Sequence, residues 1–180
     1  MHPKTSQRGV TLIETGIVTA ISAIVMSTVA PSFQSFLDTR RVDGVATALL
    51  TDIQFTRQEA VLRNQPVRLS FYAAAWGSCY VLHTGARADC RCASTGAATC
   101  TGSSQQIKTV ALASTDPVGV QANVNSILFD PLHGTSTPTG TLKVVSRSGR
   151  AVHHVVNVMG RVRSCSPSAA APAVPGYRAC

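Results

Sequence analysis

The sequence predicts an α+β fold in which one long N-terminal helix precedes a domain of antiparallel β-strands. Two observations lead to this prediction. Apolar residues recur at helical spacing as far as Arg63, and from Val67 onward the apolar pattern changes to the two-residue period of β-strands. With 180 residues, the chain is long enough for one domain with a hydrophobic core and one extended element, but not for two globular domains.

The first half of the predicted helix is apolar enough to cross a membrane. The 23 residues between Glu14 and Asp38 carry no charge, and about 20 residues of helix span a hydrocarbon core of about 30 Å. The short leader before them contains Lys4 and Arg8, so the positive-inside rule places it in the cytoplasm and the rest of the chain on the outer side of the membrane. An isolated carboxylate in lipid costs about 2.5 to 3.5 kcal/mol, so Glu14 indicates a partner. A plain signal anchor with Glu14 at the membrane interface is the alternative interpretation.

The segment from Gly9 to Glu14, Gly-Val-Thr-Leu-Ile-Glu after a basic leader, resembles the prepilin signature of type IV pilins and related pseudopilins. The resemblance implies that a prepilin peptidase cuts after Gly9 and that the new terminal residue, Val10, becomes N-methylated. It also implies that Glu14 neutralises the terminal amine of a neighbouring subunit. Residues 1–9 are then the leader, and residues 10–38 are the transmembrane and polymerisation helix. The implied locations are the inner membrane, as a single-pass protein with its C-terminus in the periplasm, and the extracellular pilus, where other major and minor pilins are the partners.

Residues 39–64 form the amphipathic second half of the predicted helix. Its apolar side chains recur at i, i+3, i+4 and i+7, and are Val42, Val45, Ala46, Leu49, Leu50, Ile53, Ala60 and Val61. Charges of both signs, including Asp52 and Arg57, lie between them and are typical of a solvated helix face. Pro66 ends the helix, because the residue before a proline avoids the helical region.

Residues 65–180 are predicted to form the β domain, which completes the type IV pilin fold that the resemblance implies. A hairpin is expected from residues 67–71 and 78–82. Further short strands are expected near residues 106–112, 118–124, 127–129, 142–146 and 151–159. Residues 87–104 are predicted to be a loop with little regular structure, stapled by disulfides, and the tail from residue 166 is predicted to be a loop as well.

Six cysteines follow the apolar run, an even number that favours disulfides in an oxidising compartment. They are Cys79, Cys90, Cys92, Cys100, Cys165 and Cys180. A zinc site is the competing interpretation for the central cluster, but its spacing is not that of a usual zinc knuckle. The pairing of the first four cysteines stays open. We expect Cys165 to pair with Cys180 and to hold the tail near the basic motif described next.

The C-terminal part of the chain is strongly basic. The formal net charge is +8, and no acidic residue follows Asp130. Six basic side chains lie in this stretch, namely Lys143, Arg147, Arg150, Arg161, Arg163 and Arg178. A cationic region of this kind favours an anionic partner.

The motif Gly160-Arg161-Val162-Arg163 follows the last predicted strand. Residues two apart on an extended chain point the same way, so Arg161 and Arg163 can present their guanidinium groups to phosphate from one surface. The motif resembles the Gly-Arg-x-Arg element of FimT-type pilins, and the order of helix, strands and basic C-terminus resembles minor pilins of the FimT and GspH group. The resemblance implies that Gly160, Arg161 and Arg163 bind double-stranded DNA non-specifically for uptake in natural transformation. Lys143, Arg147, Arg150 and Arg178 are expected to assist them.

A second function is compatible with the same helix. It is a GspH-like minor pseudopilin or pilus-assembly subunit of a type II secretion or type IV pilus system, without DNA binding. The acid-free basic C-terminus favours the first function, since a purely structural role gives no reason for it. The sequence contains no catalytic triad, metalloprotease or P-loop pattern, so we predict no enzyme, no cofactor and no metal site. His153 and His154 are adjacent on a predicted strand, so we expect one in the core and one exposed.

Overall fold

The computed structural model describes residues 9–93, 96–169 and 171–180. Residues 1–8 of the predicted leader lie outside this part of the chain. The chain divides into two compact units, Met1–Leu37 and Asp38–Cys180. The hydrophobic core and the described strands belong to the second unit.

One helix, α1, runs from Leu12 to Arg63 and confirms the prediction of a single long N-terminal helix. At its start, the hydroxyl of Thr11 accepts a hydrogen bond from the backbone N–H of Glu14 at 3.3 Å. By length and composition, α1 is a candidate to span a membrane. Its large apolar side chains in the first unit are exposed, and include Leu12, Ile13, Ile17, Val18, Ile21, Ile24, Val25, Met26, Val29, Phe33 and Phe36. An apolar surface of this length requires lipid or a protein partner.

Twelve strands follow α1 in the described residues, which confirms the α+β class. They are β1 (Val67–Ala74), β2 (Gly77–Thr84), β3 (Cys90–Cys92), β4 (Ala98–Cys100), β5 (Gln106–Ala113), β6 (Val118–Ala122), β7 (Ser126–Phe129), β8 (Ser136–Thr137), β9 (Gly140–Ser146), β10 (Ala151–Val156), β11 (Val162–Ser166) and β12 (Arg178–Ala179). A short 3-10 helix, Arg87–Asp89, precedes β3.

Ten of these strands form two five-stranded sheets. The first sheet has the order β5-β2-β1-β7-β8, and the second has the order β12-β11-β10-β9-β6. Neighbouring strands are antiparallel, except that β12 runs parallel to β11. β3 and β4 form a separate two-stranded hairpin.

The second half of α1 packs against both sheets. Its fully buried apolar residues are Val42, Ala46, Leu49, Ile53 and Ala60, which repeat at the helical spacing read from the sequence. They share one core with Leu69 and Ile127 of the first sheet and with Leu142, Val144, Val152 and Val156 of the second. Burying each Leu, Ile or Val contributes about 1.5 to 3 kcal/mol to folding. The core therefore fixes the second sheet against α1.

Asp52 departs from the predicted solvated helix face, because its side chain is buried. Its carboxylate accepts hydrogen bonds from the hydroxyl of Tyr80 at 2.8 Å and from Lys108 Nζ at 2.6 Å. Both partners come from the first sheet, so the helical charge pattern alone could not indicate them. Burial, followed by the hydrogen bond to this carboxylate, raises the pKa of Tyr80.

Both predicted loops contain regular structure. In the stapled segment, β3 and β4 pair Cys90 directly opposite Cys100. These strands have three residues each, and the disulfides hold them together in place of the apolar alternation on which sequence prediction depends. In the tail, β12 pairs with β11, which itself lies in a stretch expected to follow the last strand. β11 reads Val-Arg-Ser-Cys-Ser, a polar sequence with little signal for a buried strand.

Candidate nucleic-acid interface

The second sheet has one face in the core and one face outward. On β9, Leu142 and Val144 are fully buried, so the intervening Lys143 points outward. On β11, Val162 packs on the core and Ser164 contacts a buried histidine, so Arg163 points outward as well. Lys143 and Arg163 are both exposed.

Strand pairing places a third cation on the same outward face. Arg178 of β12 lies opposite Cys165, Cys165 lies opposite His153, and His153 lies opposite Lys143. These four residues form one cross-strand row, and Arg163 lies in the next row. At about 4.8 Å per strand, Lys143 and Arg178 are about 14 Å apart across the sheet.

We call the outward surface formed by Lys143, Arg163 and Arg178 the cationic face. The five strands of the second sheet contain no Asp or Glu. Burial, followed by the nearby charge of Lys143, lowers the pKa of His153, which keeps this histidine neutral at pH 7. The positive charge of the cationic face therefore comes from its lysine and two arginines, and no carboxylate of the sheet offsets it.

A disulfide between Cys165 and Cys180 holds β12 at the edge of the second sheet. β12 has two residues, too few to stay paired by its own hydrogen bonds, so the bridge fixes the position of Arg178. His153 Nδ1 lies 3.7 Å from Cys180 Sγ, which brings three potential metal-ligand residues together. Because the two sulfurs are bonded to each other, they do not supply the thiolates that a metal requires.

Gly160 forms the turn that connects β10 to β11. Its φ is +68°, and its N–H donates to the carbonyl of Asn157 at 2.9 Å. The side-chain oxygen of Asn157 accepts a second hydrogen bond from the N–H of Arg161 at 2.9 Å. A Cβ atom at position 160 would lie 2.6 Å from the carbonyl oxygen of Gly134, so conformation and close approach both favour glycine here.

The two arginines of the motif have different surroundings. Arg161 is exposed and lines a groove beside α1, together with helix residues. Arg163 is not among the residues that line this groove, and belongs to the cationic face. The motif therefore contributes to two adjoining surfaces, and the expectation that both guanidinium groups face one surface is wrong. Arg161 lies in the turn before β11, so the alternation of an extended strand does not apply to it.

Arg147 and Arg150 lie in the turn between β9 and β10, at the opposite end of these strands from Arg161. Arg147 is exposed, and its Nη2 donates to the carbonyl of Ser114 at 2.8 Å. Arg150 Nε lies 3.7 Å from Asp38 Oδ2, and only 14% of its side chain is exposed. Six residues of extended strand cover about 20 Å. The structure therefore does not bring these two arginines together with Arg161.

The other four cysteines form two disulfides over the outward face of the first sheet. The bonds are Cys79–Cys92 and Cys90–Cys100. The expectation of disulfides is confirmed, and the pairing that the sequence left open is now defined. Tyr72 and Trp76 pack against this stapled segment.

Gly9, Val10 and Glu14, which are predicted to take part in processing and assembly, lie in the first unit and are exposed. Gly9 and Val10 precede the start of α1, outside regular secondary structure. Glu14 lies in the first turn of α1, where a carboxylate interacts favourably with the helix dipole.

The groove beside α1 is a feature that the sequence did not predict. It has a volume of about 440 Å³ and is lined by Gln54, Arg57, Gln58, Gly160, Arg161 and Val162. From sequence, Arg57 belongs to a helix face of mixed charge, and its spacing does not distinguish it from its solvated neighbours. Its position is set by tertiary contacts, since its Nε donates a hydrogen bond to the carbonyl oxygen of Gly134, 77 positions later in the chain.

A family model described as type II transport protein GspH matches residues 45–160. No curated protein and no solved structure has significant similarity to the chain. The family match spans the second half of α1 and the strands up to the β10–β11 turn, which is more than half of the chain. The chain therefore belongs to the GspH family of type II transport proteins.

Proposed function

We propose that this GspH-family chain is a minor type IV pilin that binds extracellular DNA non-specifically for uptake in natural transformation. One observation carries the proposal: Lys143, Arg163 and Arg178 share one face of a sheet without acidic residues. Arg161 adds a cation at the end of that sheet. Guanidinium groups bind phosphate oxygens in two-point contacts. Phosphates are the same in every DNA sequence, so binding is sequence-independent and salt-sensitive.

The first unit supports the assembly part of the proposal. Prepilin peptidase cuts after Gly9, and the freed amine of Val10 becomes methylated. In lipid, a carboxylate is costly unless a cation neutralises it, and the terminal amine of an adjoining subunit supplies that cation to Glu14. The exposed apolar surface of α1 then packs against the helices of other major and minor pilins. The protein is held in the inner membrane with its C-terminus in the periplasm until it enters the pilus.

Capture of DNA is electrostatic, and retraction of the pilus then carries the bound DNA inward. A few phosphate contacts give one subunit a modest affinity. Several subunits along one filament hold the same DNA more tightly, because each further contact becomes intramolecular.

The test is a mobility-shift titration of double-stranded DNA with the full chain in detergent. We expect the double variant Arg161→Gln, Arg163→Gln to bind about 60-fold more weakly at 0.1 M salt. Each phosphate contact raises log K by about 0.9 for a tenfold drop in salt from 1 M, and the variant loses two such contacts. The matched control is Arg87→Gln, Arg91→Gln, which removes the same charge from exposed positions of the stapled segment. Equal affinities of the two double variants would rule out the proposed interface.

The second candidate function is a structural minor pseudopilin that does not bind nucleic acid. The match to type II transport protein GspH favours it, and the matched residues end at Gly160, before Arg161. In this case the wild-type chain does not retard DNA at 50 mM salt, and the arginine variants assemble normally into the filament.

A further inference from the structure

Arg57, on the second half of α1, is held in a defined position beside the Gly-Arg-Val-Arg motif. Its side chain is half-buried, and its Nε donates a hydrogen bond to the carbonyl oxygen of Gly134 at 2.9 Å. This bond joins positions that are 77 residues apart in the chain. A long side chain restrained in this way loses less rotamer freedom when it binds a ligand.

Two glycines make room for this guanidinium. A Cβ atom on Gly134 would lie 2.9 Å from both Nε and Nη2 of Arg57. A Cβ atom on Gly160 would lie 3.2 Å from the same Nε. Both glycines also have positive φ, +61° and +68°, which side chains rarely adopt. The glycine of the motif therefore has a second role, since it leaves space for a guanidinium from the helix.

Among the described residues, those that line the groove between this guanidinium and the β10–β11 turn include cations and no carboxylate. Arg57 and Arg161 both line it, and the amides of Gln54 and Gln58 complete its walls. In the described part of the chain, Arg57 forms no ion pair with an acidic side chain. Two arginines that share a groove repel each other, and a bound anion relieves that repulsion.

We propose that this groove, lined by Arg57, Arg161 and the two glutamines, is a phosphate-binding subsite that receives the nucleic-acid backbone. The inference rests on the proposed function, because it extends the DNA site from the cationic face onto the helix. Arg161 and Arg163 are separated by one residue, so the groove adjoins the cationic face. Guanidinium and amide N–H groups all donate hydrogen bonds, which matches the acceptor oxygens of phosphate.

The experiment compares Arg57→Gln with Arg63→Gln in DNA titrations of the full chain in detergent, across a salt series. Arg63 is the matched control because it lies on the same helix and is already paired with Glu59 at 2.6 Å. We expect Arg57→Gln to reduce the slope of log K against log salt by about 0.9 and to weaken binding about eightfold at 0.1 M salt. Arg63→Gln should leave the slope unchanged and the affinity within about twofold of the wild type.

A second variant covers the case in which Arg57→Gln disturbs folding. Gln58→Glu places a carboxylate on the exposed rim of the groove and leaves Arg57, Gly134 and Gly160 unchanged. The added negative charge should weaken DNA binding by repulsion. Its control is Gln106→Glu, the same change at an exposed position of the first sheet. If Gln58→Glu and its control bind DNA equally well, the groove is not a phosphate site.

The outcomes separate this inference from the proposed function. If Arg161→Gln, Arg163→Gln retains full affinity, both the function and the groove are overturned. If that double variant loses affinity while the Arg57 and Gln58 variants do not, only the groove is overturned. Poly-glutamate is tested as a competitor of DNA for the wild-type chain. If poly-glutamate and DNA compete equally well, the groove binds an acidic protein segment instead of nucleic acid.

Discussion

Replacing Gly160 by alanine tests the close packing of the motif against the rest of the β domain. Adopting φ +68° costs an alanine about 1 to 2 kcal/mol. The new Cβ would also lie 2.6 Å from the backbone oxygen of Gly134, a contact that cannot be relieved by rotating a side chain. Overpacking of this kind costs about 1 to 3 kcal/mol. We therefore expect Gly160→Ala to lower the free energy of unfolding by about 2 to 5 kcal/mol.

Gly102 provides the matched control for this prediction. Its φ is +66°, nearly that of Gly160, but no atom lies within 4 Å of a Cβ built on it. Gly102→Ala should therefore cost only the conformational part, about 1 to 2 kcal/mol. The assay is urea denaturation of the fragment from Asp38, in which the hydrophobic core is complete. Equal losses in the two variants would refute the packing of the Gly160 turn against Gly134.

Three further predictions concern the edge strand, the core and the first unit. Replacing Cys165 and Cys180 by serine opens a bridge with a sequence separation of 15, and should lower the free energy of unfolding by about 3 kcal/mol. Burial lowers the pKa of His154 below 6.5, so the unfolded chain binds a proton at this histidine more readily than the folded chain does. The free energy of unfolding should therefore be constant above pH 6.5 and fall below it, and the fall should be smaller in His154→Asn. Glu14→Ala should leave the protein in the membrane but remove it from sheared filaments.

One outcome would contradict each of these three predictions. If the serine variants unfold at the same urea concentration as the wild type, the Cys165–Cys180 disulfide does not stabilise the fold. The histidine prediction fails if the asparagine variant and the wild type lose the same free energy between pH 7.5 and 5.5. The carboxylate prediction fails if sheared filaments contain the Glu14→Ala chain in wild-type amounts, as judged by immunoblot.

The long helix and most strands of the two sheets could be predicted from the sequence because each carries a periodic apolar signal. Val42, Ala46 and Leu49 repeat at the helical period, and the core uses them as that pattern requires. Val67 to Phe71 alternate and form the first strand. Local periodicity was sufficient wherever an element buries its own apolar face.

The remaining elements depend on partners that are distant in the chain. β12 has only two residues and is held in place by a disulfide and by its pairing with β11. Asp52 of α1 is buried because Tyr80 and Lys108 approach it from the first sheet. No local pattern carries that information.

The candidate site also has a part that the sequence predicts and a part that only the fold reveals. The acid-free stretch after Asp130 is visible in the sequence and contains the residues of the cationic face. Strand register decides which of them meet, and it separates Arg147 and Arg150 from Arg161. Arg57 joins the motif through the tertiary approach of a helix to a turn, which charge counting along the helix cannot indicate.

Titration of double-stranded DNA with the full chain at several salt concentrations tests the central claim most directly. Lys143, Arg161, Arg163 and Arg178 predict a slope of log K against log salt of about −3.6, and Arg57 extends it to about −4.5. Two unrelated DNA sequences should give the same line, because phosphates carry the contacts. A chain that does not bind DNA at 50 mM salt, or that binds with a slope near zero, would contradict electrostatic capture by the second sheet.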